Sequence, residues 1–388
     1  MKFNLAMEGG IDLGLDLGTQ NIVIYRKGKG IILNEASLIA SRRNSGQVLA
    51  VGNDAAMMHE KIHPGIVTTR PIQKGVIADY DATIKLIKGL FRKVKPRFSF
   101  GIRRMFISIP LGITEVEKRA VYDAAAHIGA RDIYLISKPV AAAIGTGLNP
   151  FDATGNMIVD IGAGTTEIAV ISLGGIVSGE SLDIAGNEIN DIISRYIRDE
   201  KNLAISETST ENIKKNIDSI FDNNNDENER MIVSGLNIES GLPEKQEIDS
   251  EMIRRIMALP IGQIIGAIKK NLEELVAKPD LAVDIMQNGI FLTGGGALLK
   301  GLDKKINAET KLGVNISEEP LGAVANGIGI ILEDLAKYRP LLDSRKHKRH
   351  KIINNSEYNK PLLNGLAHLN GNGEKFSREA EPASPQEA

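Results

Sequence analysis

Twice in this chain, far apart, an apolar strand runs into a tight glycine turn and out into a second apolar strand. The first copy is Ile11-Asp12-Leu13-Gly14-Leu15-Asp16-Leu17-Gly18-Thr19-Gln20-Asn21, continuing into Ile22-Val23-Ile24-Tyr25. The second is Met157-Ile158-Val159-Asp160-Ile161-Gly162-Ala163-Gly164-Thr165-Thr166-Glu167, continuing into Ile168-Ala169-Val170-Ile171. Each reads as a β-hairpin. Asp16 and Asp160 stand 144 positions apart, a separation that means two similar domains rather than a solenoid, whose repeats span roughly 20 to 50 residues. A third turn, Ile290-Phe291-Leu292-Thr293-Gly294-Gly295-Gly296, runs into Ala297-Leu298-Leu299 and predicts a strand feeding a helix. The 388 residues leave room for two or three domains.

Glycine turns after strands let backbone N–H groups approach phosphate oxygens without Cβ obstruction. Thr19, Gln20, Thr165 and Thr166 add side-chain donors beside them. Asp16 and Asp160, just ahead of the turns, would sit next to those phosphates, where bare carboxylates repel. The arrangement therefore calls for Mg²⁺, held through its waters. Two hairpins facing each other would grip one polyphosphate from both sides, and the Gly294-Gly295-Gly296 turn would cover the nucleoside. One such turn alone is more often a plain hairpin; three in this order favour nucleotide binding.

Composition narrows the alternatives. Apolar residues make up 42% and charged residues 25%, which excludes wholesale disorder. The net charge of −2 argues against a globally basic nucleic-acid binder. Cys is absent, so there is no disulfide, thiolate metal site or cysteine nucleophile. No apolar run approaches the roughly 20 residues that span a bilayer, and Met1 to Gly10 lacks a signal-peptide core. The chain reads as cytoplasmic.

Local signals place helices between the turns. Thr114-Glu115-Val116-Glu117 spells a capping box, Val121, Ala124, Ala125 and Ile128 follow at helical spacing, and Gly129 closes the segment. Ile84, Ile87, Leu90, Phe91 and Val94 form a second stripe, and Pro139 opens a short helix of small residues. Residues 222–229 read as a polar surface loop, and the chain from about Tyr338 reads as a disordered basic and polar tail. His59 and His63, four apart, lack a supporting carboxylate frame and read as surface histidines rather than a metal pair.

The three turns in this order resemble the phosphate-1, phosphate-2 and adenosine motifs of the actin, Hsp70 and sugar-kinase superfamily. Further stretches resemble one branch, the MreB bacterial actins: Lys27 to Glu35, Gly75 to Asp79, Gly112 to Ala120, Ala141 to Gly145 and Leu292 to Leu299. The similarity runs from about Gly10 to Leu335. It implies an α/β actin-like ATPase fold of two lobes, each a duplicated RNase H-like core with a smaller insertion. By that match 10–33, 66–145 and 318–337 form one core with 34–65 inserted, and 146–180 with 246–317 form the other with 181–245 inserted. It also implies ATP and Mg²⁺ in the cleft and filaments built head to tail, commonly as antiparallel strand pairs, that help determine cell shape. Self-association and contact with other MreB paralogues are the implied partnerships, without a specific nucleic acid. The bias towards Ile, Asn and Lys leans towards relatives in wall-less bacteria, which serve shape and motility.

Residue by residue, the resemblance assigns the nucleotide to Asp16, Gly18, Thr19, Gln20, Asn21, Asp160, Gly162, Ala163, Gly164, Thr165, Lys214, Asn216, Gly294, Gly295 and Gly296. It assigns a water-held metal to Asp16 and Asp160. Catalysis falls to position 138 with Glu167, Thr165 and Thr166. The main departure is Lys138, where the family usually has a glutamate that orients or deprotonates the attacking water. An ammonium donates but cannot accept a proton, so slow hydrolysis with binding retained is the expectation. The alternative has Lys138 turned to solvent and Glu167 as the base. Ala163 replaces a usual Gly, Ile22 a usual Thr, and Asn216 a glutamate that contacts the ribose.

Arg92 to Arg104 holds six basic residues and no acidic one, around Phe98 and Phe100. By analogy with the family's membrane loop, these rings would insert while the basic ring meets anionic lipid at the inner face of the cell membrane. The rival reading is a solvated basic edge with the rings packed inward. A second basic run, Arg345 to Lys351, reads by default as a solubilising tail, and is a candidate for the same lipids or for nucleic acid. Two rival functions share the cleft motifs, a small-molecule kinase and a chaperone-like ATPase. No sugar pocket insertion supports the first, and the residues after 338 are too few and too polar for the second.

Overall fold

The computed structural model describes residues 10–61, 63–94, 101–216, 220 and 230–346. The loop at 222–229, Phe98, Phe100 and the segment 347–388 lie outside them.

The first half opens with the meander β1 (Ile11–Leu17), β2 (Asn21–Arg26) and β3 (Gly30–Ala36). A small module follows: β4 (Ile39–Arg42), β5 (Val48–Val51), α1 (Asn53–Glu60) and β6 (Ile66–Thr69). The ribbon β7 (Ile72–Gln73) and β8 (Val76–Ile77) leads to α2 (Tyr80–Val94), β9 (Ile102–Ile109), α3 (Glu115–Ile128), β10 (Ala130–Ser137) and α4 (Lys138–Gly145). The second half repeats the plan with β11 (Asn156–Ile161), β12 (Thr166–Ser172) and β13 (Gly175–Leu182), then α5 (Gly186–Lys201). A second module holds β14 (Leu203–Ala204), α6 (Glu207–Asn216), β15 (Arg230–Asn237) and β16 (Pro243–Asp249). There follow α7 (Ser250–Glu273), α8 (Pro279–Asn288), β17 (Ile290–Thr293), α9 (Leu302–Thr310), β18 (Val314–Ile316), α10 (Ala323–Glu333), α11 (Leu335–Tyr338) and β19 (Asp343–Lys346).

Two sheets repeat one topology. The first runs β19-β10-β9-β1-β2-β3 and the second β13-β12-β11-β17-β18. In each, three antiparallel strands of a meander are extended by two strands parallel to the first, β9 and β10 beside β1, and β17 and β18 beside β11. Parallel strands need covered faces. Accordingly β11 and β12 are almost wholly buried, with α7 and α5 over one face, and the first sheet packs on α2 and α3.

A third cluster joins the halves. It holds Ala141, Ala142, Ala143 and Ile144 of α4 with Val324, Ile328 and Ile331 of α10. The helices touch backbone to backbone: a Cβ on Gly145 would strike the Ala323 carbonyl, and one on Gly327 the Ala141 carbonyl.

Local signals match the elements. Thr114 caps α3 with the reciprocal Glu117 bonds, and Gly129 ends it at φ 102°. The stripe from Ile84 to Val94 lies on α2. Two expectations are corrected. The third glycine turn enters a short 3-10 turn at 295–298, and the α-helix begins only at Leu302. The disordered tail expected from 338 is not what the structure has over 338–346: residues 343–346 form β19, antiparallel to β10. Strand pairing there follows from an open sheet edge, which a polar composition does not reveal.

Candidate functional site

The carboxyl ends of parallel strands gather the polar residues, as expected where an open α/β sheet leaves a crevice. Asp16 is the penultimate residue of β1, Ser108 lies near the end of β9, and Lys138 begins α4 immediately after β10. The Ser108 hydroxyl donates to Asp16 Oδ1 at 2.6 Å, and Lys138 Nζ lies 3.5 Å from the same oxygen. Pro139 at the start of α4 fixes the turn that points Lys138 inward. The Lys138 residue is only 8% exposed. Burial works against its charge, but Asp16, Asp160 and Glu167 together raise it above the ordinary lysine range. The solvent-facing alternative for Lys138 is therefore not what the structure has.

The second sheet supplies the opposite wall. Asp160 of β11 pairs in register with Glu167 of β12 and Thr293 of β17. Burial pushes the Asp160 carboxyl up to about 7, with Lys138 opposing and Asp16 and Glu167 adding to it. No donor among the described residues meets that carboxylate. Glu167 is fully buried and engaged on both oxygens, by the Leu111 N–H at 2.9 Å and the Ser181 hydroxyl at 3.0 Å. Burial raises its pKa, while the Leu111 N–H, Lys138, Thr165 and Ser181 pull the other way. Glu167 is thus a clamp that ties the residues after β9 to the second sheet, and a poor candidate for a free base.

The two glycine turns meet. Gly164 lies so close to Thr19 that a Cβ there would collide with the Thr19 hydroxyl. That hydroxyl accepts from the Gly75 N–H at 3.0 Å, and the Thr165 hydroxyl lies 3.7 Å from a Cβ placed on Gly75. The β7–β8 turn therefore closes the contact from the first half, with Lys74 and Gly75 both at positive φ. Gly18 needs its missing side chain because a Cβ would meet the Asn21 carbonyl. Ala163 has no positive φ, so it stiffens the second turn without strain. The Gly162 N–H donates to Thr165 O at 2.9 Å, and the carbonyls of Gly162 and Ala163 accept from the first two residues of α5.

Other assigned residues fall at varying distances from this centre. Lys214 is buried beside the second turn, donating to Gly186 O at 3.2 Å and paired with Glu211 at 2.6 Å. Gly294 at φ 79° sits against Asp160 and Ile161 and is bonded to Pro320 O, with Gly295 and Gly296 following. Four residues are not brought to the cluster. The Thr166 hydroxyl donates to Ile184 O at 2.6 Å, because alternation along β12 turns it away from the Glu167 face. Asn216 folds back onto Asn212 O. Asn21 bonds Asn34, while Gln20 accepts from Arg70. His59 and His63 form no pair: His59 meets Thr68 and Glu207, and His63 accepts from Gly65. Among the described residues no group of three or more His, Asp or Glu suits a directly held metal.

Sequence reasoning missed Ser108, Leu111 and Ser181, which position the carboxylates, and the residues that bridge the halves. Arg70 pairs with Glu207 at 2.7 Å, His59 reaches the same carboxylate at 3.3 Å, and Lys74 pairs with Asp183 at 2.6 Å. None carries a local pattern; Gly75, at a tight ribbon, was the available signal. In the basic edge, Arg103 is tied bidentately to the buried Asp12 at 2.8 and 2.6 Å, with Arg104 at 3.6 Å, and Lys93 pairs with Glu35 at 3.0 Å and Asp54 at 2.9 Å, so at least three of the six cations are spoken for. Among the described residues no helix is long and apolar enough to cross a membrane.

Comparison with known proteins agrees with this architecture. The MreB/Mbl protein family model matches residues 10–340. The cell shape-determining protein Mbl of Bacillus subtilis is 40% identical over 326 residues, 84% of this chain and 97% of that protein. The cell shape-determining protein MreB of Escherichia coli K12 is 41% identical over 327 residues, 83% and 93% of the two chains. The crystal structure of MreB5 of Spiroplasma citri bound to AMPPNP superposes with a TM-score of 0.80 at 35% identity, covering 85% of this chain and 98% of that one.

Proposed function

The chain belongs to the MreB/Mbl family of actin-like, cell shape-determining proteins, and on that premise we propose that it binds ATP between its two sheets, assembles with itself into filaments and hydrolyses the nucleotide slowly. The observation that carries the slow step is Lys138, buried within ion-pair distance of Asp16 at the junction of the two turns. Its ammonium attracts phosphate oxygens yet cannot take a proton from water. A missing positioned base typically costs on the order of 10²–10⁴ in rate. Glu167 does not replace it, being held by Leu111 and Ser181. The bound AMPPNP of the Spiroplasma citri relative supports an adenine nucleotide as the ligand, and Gly164, Thr19 and the donor-less Asp160 leave the polar surface such a ligand needs. A kinase reading is not favoured, since the likeness extends over the whole fold rather than the cleft alone.

The test follows phosphate release and sedimentation in one sample with ATP. The wild type pellets with nucleotide and releases phosphate slowly; Lys138→Glu still pellets and releases it at least about tenfold faster. An unchanged rate in a folded Lys138→Glu protein defeats the slow-hydrolysis reading, and absence of nucleotide-dependent pelleting defeats the filament. For location, we place the protein peripherally at anionic membrane through Phe98 and Phe100. Co-sedimentation with anionic liposomes should weaken in Phe98→Ser/Phe100→Ser and at high salt; unchanged binding would remove that docking site.

A further inference from the structure

The carboxylates assigned to a water-held magnesium are not equivalent. Magnesium keeps its waters and needs acceptor oxygens to receive them. Asp16 already takes the Ser108 hydroxyl at 2.6 Å and has Lys138 Nζ at 3.5 Å on the same oxygen. Asp160 has no donor among the described residues. The two walls therefore offer a metal's waters unequal acceptors: at Asp16 one oxygen is already taken by Ser108 and Lys138, so the site does not suit a metal shared evenly between them.

We propose that the Lys138 ammonium stands in for the divalent cation at Asp16, so that this chain binds adenine nucleotides with little dependence on magnesium. The inference rests on the nucleotide reading above and deepens it by specifying which form of the ligand is taken. Elementary charge counting supports it. With a glutamate at position 138 the cluster would hold four carboxylates: Asp16, Asp160, Glu167 and residue 138. A polyphosphate entering that field needs a divalent ion to screen it. Lys138 removes one negative charge and adds one positive charge, so the local sum moves by two units, the charge a magnesium ion would bring. The compensation is fixed, because Pro139 and the α4–α10 backbone contact set the base of the lysine. It is also desolvated, and a charge away from water acts on a neighbouring phosphate more strongly than an exposed one. The Ser137 hydroxyl, buried at the N-cap of α4 without a partner among the described residues, stands next to the lysine and adds a polar group still to be satisfied at this wall.

The experiment titrates the full chain with a fluorescent ATP analogue, once with magnesium chloride and once with EDTA. The wild type is expected to bind within about threefold of the same affinity in both buffers, and Lys138→Glu to lose about tenfold or more on chelation, each tenfold being about 1.4 kcal/mol. Lys138→Arg, which keeps the charge, is expected to behave as the wild type. A wild type that loses tenfold or more in EDTA overturns the proposal while leaving nucleotide binding intact. Absence of binding in both buffers overturns the nucleotide reading itself. A Lys138→Glu protein that binds equally in both buffers removes Lys138 as the cause. Should that variant fail to fold, judged by circular dichroism, the two wild-type titrations decide the question alone.

Discussion

At position 160 a single carboxylate carries a measurable cost. Burial raises Asp160 to about 7 from an ordinary 3.8, so the folded chain holds a proton that the unfolded chain has released. The sign follows directly. The ligand-free protein has the full benefit below about pH 4, loses it as pH rises from there towards 7, and has none of it above. Asp160→Asn should therefore be more stable than the wild type above pH 7, by roughly 2–4 kcal/mol, with the gap closing towards pH 4. Urea denaturation across that range reads it, and a pH-independent difference would refute it. Ala163 tests the neighbouring turn. Its φ is not positive, so Ala163→Gly adds only unfolded-state entropy and should cost about 0.4–1 kcal/mol. At this scale the glycines, threonines and aspartates of the turns were readable because each has a local chemical meaning. Ser108 and Ser181 were not, since a lone serine in a strand says nothing about which carboxylate will sit beside it.

Among the elements, α4 and α10 hold the site in place. Gly327→Val puts a branched side chain where the Ala141 carbonyl lies. Overpacking of a backbone contact should destabilise by about 3 kcal/mol or more, and thermal unfolding measures it; a loss below about 1 kcal/mol would show that the helices can part cheaply. The cap of α3 is a local device by contrast. Thr114→Ala removes the bond to the Glu117 N–H and should cost about 1 kcal/mol. The helices at Tyr80–Val94 and Glu115–Ile128 and both hairpins were legible because periodicity, capping and turn chemistry act within one or two turns of chain. The strand β19 and the 3-10 turn after Gly294 were not. One is decided by an unpaired sheet edge far away in sequence, the other by the Pro320 carbonyl that receives the Gly294 N–H.

Across the whole molecule the two halves are drawn together by Arg70–Glu207, His59–Glu207 and Lys74–Asp183. All three pairs are partly or largely exposed, and such pairs are individually weak. They bias a closure equilibrium rather than lock it. Asp183→Asn/Glu207→Gln should enlarge the radius of gyration in small-angle scattering and speed nucleotide release a few-fold, without a large loss of thermal stability; unchanged scattering and release would show that the bridges do not hold the cleft. By itself the sequence determined the duplicated hairpin, the α/β class and the family, since repeated turns with a fixed order of Asp, Gly and Thr are written in consecutive residues. Only the tertiary structure decided that Lys138 points into the acidic cluster, that Glu167 is clamped and that Asp160 is left without a donor. Those outcomes depend on fields and contacts between separate segments of the chain, Lys138 with Asp16, Glu167 with Leu111 and Ser181. No local pattern encodes a charge's neighbours until the chain has closed around it.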